Sequence, residues 1–219
     1  MTRAKTDIFR SMTHRASAHR MYYRIAFEHF ALYEKNDHEF NAARHEATDG
    51  SNLGVIEVRM SESYMRREEA AVVCITFAAM TLEAFFYDYA AAELGDRHVG
   101  DHLDKLALPG KYLLYPLLVC GAGPDKSDHV FAHVNQLNDD RNKLVHFKSK
   151  RFPVERLHEA GAFHDKMADR LRNGVNNAVR TVREVMAEID RLQGGKTHFA
   201  DLMRAMEHQS LNGGNVDSI

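Results

Sequence analysis

From Ala70 to Ala92 the sequence reads AAVVCITFAAMTLEAFFYDYAAA, apolar on every side of a helix. On a protein surface such a helix would leave apolar area in water, so it has to be covered on several sides. The chain is therefore predicted to fold around it. Charged residues Arg66–Glu69 precede the run, Ser61 and Ser63 are candidate N-caps, and Gly95 supplies a stop. The aromatic row Phe77, Phe85, Phe86, Tyr87 and Tyr89 reads as core or dimer interface rather than as a base-stacking platform. Glu83 breaks the pattern. An unpaired buried carboxylate is costly, so Glu83 either faces solvent or a salt bridge, or pairs with a cation such as Arg141.

The remaining segments also carry helical spacing. Within Thr6–Glu46, apolar residues recur every three or four positions, with Asn36-Asp37 as a possible turn between two helices. Ala47–Gly54 is a turn cluster. Asp96–Gly110 reads as a short helix ending at Leu108-Pro109-Gly110. Lys111–Cys120 contains Pro116 and reads as either a short helix or an extended segment. A helix from about Asp128 to Phe147 buries Val130, Val134, Leu137, Leu144 and Val145. Val154–Gln193 reads as one long helix, weakened at Gly161 and Gly174 and stopped by Gly194-Gly195. No segment has a convincing strand period. The expected class is all-α: a helical bundle of four or five main helices. Residues 1–60 form an N-terminal helical extension, 61–195 the core, and 196–219 a short helix and mobile tail.

A length of 219 residues is enough to bury a real core. The net charge of −2 argues against a protein that coats nucleic acid without specificity. Cys74 and Cys120 lack any CxxC spacing, which points to a reducing compartment. The N-terminal residues contain no apolar signal core. The longest apolar run, Ala70–Ala79, is broken by Thr76 and falls short of the ~20 residues that span a bilayer. A cytoplasmic protein without membrane association is expected.

Chemistry concentrates in Leu137–Lys150, LNDDRNKLVHFKSK. Arg141 carries a permanent charge and a bidentate fork suited to phosphate. His146 supplies an imidazole, the side chain most often used for general acid or base work. An RNA 2′-OH supplies an internal nucleophile, so the reaction needs neither a metal nor a protein nucleophile. From Arg141 to Arg156 the cations Arg141, Lys143, Lys148, Lys150, Arg151 and Arg156 face Glu155 alone, a local anion-binding feature. On a helix Arg141 and His146 lie about 140° apart, whereas Asn142 and His146 share a face. One copy therefore splays the cation from the imidazole, and two copies about a two-fold axis would bring both into one cleft.

The segment QLNDDRNKLVHF resembles the signature of the HEPN (higher eukaryote and prokaryote nucleotide-binding) domain family: an Arg, a polar residue, then a His after four to six intervening residues. FAAMTLEAFFYDYA is similar to the first core helix of several prokaryotic members. The resemblance covers roughly residues 62–192. It implies a helical bundle, a homodimer with both motifs at the interface, and a metal-independent endoribonuclease without cofactor. Such enzymes act as toxins or in phage defence, with RNA as substrate and, for a toxin, an antitoxin or other protein partner. It further implies that His146 is the general acid/base, that Arg141 holds the scissile phosphate and that Asn142 orients the site. Lys143, Lys148, Lys150 and Arg151 would guide the RNA backbone, with Glu83 as a supporting residue. Some members are inactive and serve as binding or scaffold modules, which is the competing expectation. A third reading is a metal site, from His129 and His133 at i, i+4 and from Glu155-x-x-His158. A di-iron bundle needs two such Glu-x-x-His pairs, and this chain has one.

Overall fold

The computed structural model describes residues 17–47, 53–146, 148, 151–195, 204, 205 and 207. These residues form an all-α bundle with no strand among them. The main helices are α1 (His19–Glu46), α2 (Leu53–Leu94), α4 (Leu108–Cys120), α5 (His129–Val145) and α6 (Leu157–Leu192). A short α3 (Asp96–His98) runs into a π-helical turn, Val99–Leu103.

The apolar run lies at the centre, as its pattern requires. α1, α4, α5 and α6 all pack on α2. Ala71, Cys74, Ile75, Ala78, Leu82 and Phe86 are fully enclosed. Phe85 stacks with Tyr89, and Tyr115 meets Phe86 edge-on. Burial pushes the Cys74 thiol up to about 12. Gly95 closes the helix at a φ of 86°, a conformation that costs glycine nothing. By length and composition α2 could cross a membrane. However, 56% of its most apolar window is buried inside the bundle, as in a core helix.

Four local expectations are corrected. α2 begins at Leu53, so Ser61 and Ser63 are not caps; Ser63 is buried, and its hydroxyl donates to the Arg59 carbonyl over 2.6 Å. The boundary expected at residue 60 therefore falls inside a continuous helix, and Tyr23, Ala26, Phe27 and Tyr33 of α1 belong to the same core. Asn36-Asp37 is not a turn: the Asn36 amide donates to the Leu32 carbonyl over 2.6 Å and Asp37 accepts from Arg67 over 2.8 Å. Those bonds keep the chain helical where the sequence offered a break. Leu108-Pro109-Gly110 opens α4 instead of closing the preceding helix, because proline in a first turn gives up an N–H that has no helical partner anyway. Lys111–Cys120 is helical, with Pro116 inside. Residues 6–16 and most of the expected C-terminal helix and tail lie outside the described residues.

Arg67 anchors the α1–α2 hairpin. Its guanidinium is buried against Asp37 and lies 4.8 Å from the Phe40 ring and 5.0 Å from the Tyr64 ring. A planar cation beside two adjoining aromatic rings keeps both electrostatic and packing partners when it leaves water.

Candidate functional site

α5 places the motif. Its buried stripe, Val130, Val134 and Leu137, faces α2 and α6, and the next position on that stripe is Asp140. Asp140 is 1% exposed. One oxygen accepts from Gln136 over 2.8 Å, while the other has no partner among the described residues. Burial raises its pKa above the usual aspartate value, and the Gln136 hydrogen bond, Lys143 and Arg170 act in the opposite direction. α6 presses on this point through Gly174. A Cβ there would stand 2.9 Å from Ile75 Cδ1 and 3.2 Å from Asp140 Oδ2, so a side chain would have to displace the ends of both.

The residues after Asp140 separate onto two sides of α5. Arg141 turns to α2 and forms an ion pair with Glu83 there. Its other guanidinium nitrogen donates to Asn142 Oδ1 over 3.0 Å. This accounts for Glu83, the carboxylate in the middle of the apolar run of α2. Asn142, whose side chain Arg141 reaches from the α2 side, and His146 line a groove between α5 and the start of α6. The groove has a volume of about 530 Å³, within the ~300–1,000 Å³ typical of ligand clefts. His146 follows the last residue of α5, is exposed, and its backbone N–H donates to the Asn142 carbonyl over 3.0 Å.

Of the other residues singled out from sequence, Lys143 and Lys148 line the groove, Arg151 is exposed outside it, and Lys150 lies outside the described residues. Arg141 does not line the groove, in keeping with its angular separation from His146. α6 adds five residues that the sequence reading did not assign to the site: Phe163, Lys166, Met167, Arg170 and Leu171. Their i, i+3, i+4, i+7, i+8 spacing marks a single helix face. Residues 158–170 bury no side chain completely, so this part of α6 serves the groove rather than the core. The groove thus sets Lys143, Lys148, Lys166 and Arg170 against Asp139, over apolar side chains that include Leu144 and Leu171.

The histidines at the other end of α5 have a different setting. His133 Nδ1 donates to Glu184 Oε2 over 2.6 Å, and His129 pairs with Asp128 at 2.5 Å and lies 3.9 Å from Glu184. Glu155 and His158 are exposed on the approach to α6. Among the described residues no three His, Cys, Asp or Glu side chains are grouped to hold a metal ion.

Compared with known proteins, the chain matches no family model, no curated protein and no solved structure.

Proposed function

We propose that the chain is a metal-independent endoribonuclease of the HEPN type, cytoplasmic and dimeric, acting as a toxin or phage-defence component. The observation that carries the reading is the groove at the end of α5, where an exposed imidazole, His146, stands among four cations. His146 takes the proton of the RNA 2′-OH, the oxygen attacks the adjacent phosphorus, and the 5′-oxygen leaves. Lys143, Lys148, Lys166 and Arg170 offset the backbone charge. Arg141 supplies the fork for the scissile phosphate from the second copy of the chain, since within one chain it faces away from His146. Apolar surface beside the ion pair supports such a dimer. Val145, one turn from Arg141 on α5, is 58% exposed, and Val72 is exposed on the same side of α2 as Glu83, about 16 Å along the helix from it.

A second reading is a catalytically inactive binding or scaffold module. Glu83 favours it, because a carboxylate on Arg141 neutralises the charge that a phosphate would need. One assay separates the two: cleavage of RNA by purified wild type, Arg141→Ala and His146→Ala with EDTA present. The nuclease reading expects cleavage by wild type and its loss in both variants. Full activity in His146→Ala, or a folded wild-type dimer that never cleaves, overturns it.

A further inference from the structure

The α5–α6 groove holds one side chain that works against an anion. Asp139 lines it together with Lys143, Lys148, Lys166 and Arg170, and a negative charge there repels a phosphate backbone. Asp139 is exposed, and among the described residues it joins no ion pair and accepts no hydrogen bond. Both carboxylate oxygens are therefore open to a ligand in the groove.

Position narrows the choice of ligand. Asp139, Asn142, Lys143 and His146 stand at i, i+3, i+4 and i+7, which places them on one face of α5. Asp139 and His146 are thus about 10 Å apart along the axis, on the scale of one nucleoside. The groove is also lined by Leu144, Phe163, Met167 and Leu171. Such apolar side chains suit the face of an unstacked base and do nothing for a phosphate. A nucleotide with its ribose at His146 and its base on this wall has its far, Watson–Crick edge at Asp139.

A carboxylate accepts hydrogen bonds and donates none. Guanine sets two adjacent donors on that edge, N1–H and the N2 amino group, in the fork that two carboxylate oxygens match. Adenine and cytosine place an acceptor beside their amino group, and uracil flanks its N–H with two carbonyls. Each of these three turns a lone pair toward the carboxylate. Building on the nuclease reading, we propose that the groove selects guanine. The nucleotide on the 5′ side of the scissile bond is a guanosine whose N1–H and N2–H donate to Asp139.

The test is calorimetric titration of the full chain with the four nucleoside 3′-monophosphates, which cannot be cleaved. The guanosine nucleotide should bind about tenfold or more tightly than the other three, the discrimination of a good bidentate pair. Inosine 3′-monophosphate, which lacks the N2 amino group, should bind a few-fold more weakly than the guanosine nucleotide. Asp139→Asn, at an exposed position, should bring the guanosine nucleotide to within about twofold of the adenosine one. The proposal is overturned if the four bind alike or none binds at millimolar concentration, or if inosine matches guanosine. A gain in Asp139→Asn shared equally by all four nucleotides would mark Asp139 as surface charge alone and also overturn it. Mapping the cuts in an RNA of mixed sequence separates this inference from the reading beneath it. Cleavage without preference for the position after guanosine overturns the inference and leaves the nuclease, whereas guanine-selective binding without cleavage upholds the base site and overturns the nuclease.

Discussion

The two ends of α5 carry the same residue type in opposite circumstances. At the N-terminal end His133 gives its Nδ1 proton to Glu184, and His129 lies against Asp128. At the C-terminal end His146 is exposed in a groove whose lining is mainly cationic and apolar. One end has the character of a clasp between helices, the other of a place for an anion. Spacing alone does not separate them, since His129 and His133 are the better-ordered helical pair. What separates them is the helix opposite: α6 presents Glu184 to one end and Lys166 and Arg170 to the other.

The sharpest way to break this contrast is to remove each histidine in turn. His146→Ala should lower RNA cleavage by about a hundredfold or more, the contribution of a general acid/base. His133→Ala should stay within about twofold of wild type when compared in the same assay, provided it is folded. Equal losses would erase the distinction. Next in size is the effect of reversing charge on α6. Lys166→Glu with Arg170→Glu should weaken binding of a labelled RNA about tenfold and reduce its salt dependence, whereas Glu184→Gln should leave both unchanged. Stability should follow the opposite order. Glu184→Gln is expected to lower unfolding stability by about 1 kcal/mol in denaturant titrations, and His146→Ala by less than about 0.5 kcal/mol.

A further stability effect concerns Asp140, between the two ends. Its folded-state pKa is raised, so above the unfolded value of 3.8 the folded protein binds more protons than the unfolded chain. Stability from this residue is greatest below that value and falls as pH rises through the folded pKa. Asp140→Asn should remove that part of the decline and raise the stability at pH 7 relative to acidic pH by about 1 kcal/mol. A variant whose pH profile parallels wild type would show that the unpartnered oxygen is already satisfied.

The central position of α2 was legible because an apolar face on every side admits few alternatives. Glu83 stood out for the same reason: it is the only acidic residue between Ala70 and Tyr87. The helix starts were less legible. Ser63 has the composition of a cap, and only its burial and its bond to the Arg59 carbonyl show that the helix began earlier. Asn36 was misleading in the same way, since its amide bonds back along α1. At the candidate site, the motif residues on α5 could be placed on opposite sides by counting. The α6 wall could not. Phe163, Lys166, Met167 and Arg170 show helical spacing in sequence, but a spacing does not say which helix a face will meet. Gly174 looked like a local weakness, whereas it marks the close approach of three helices.

α2 is also a long rod. Its 42 residues span about 63 Å, and the first part, residues 53–69, fully buries only Ile56, Ser63 and Arg67. That part projects with the end of α1 as an arm, carrying Leu53, Val55, Val58 and Met65 in the open. Glu83 sits about 45 Å along the same unbroken helix from the tip. The arm and the carboxylate that restrains Arg141 are therefore one mechanical piece. A partner that grips the tip and tilts it applies leverage to the Glu83–Arg141 pair without touching the groove.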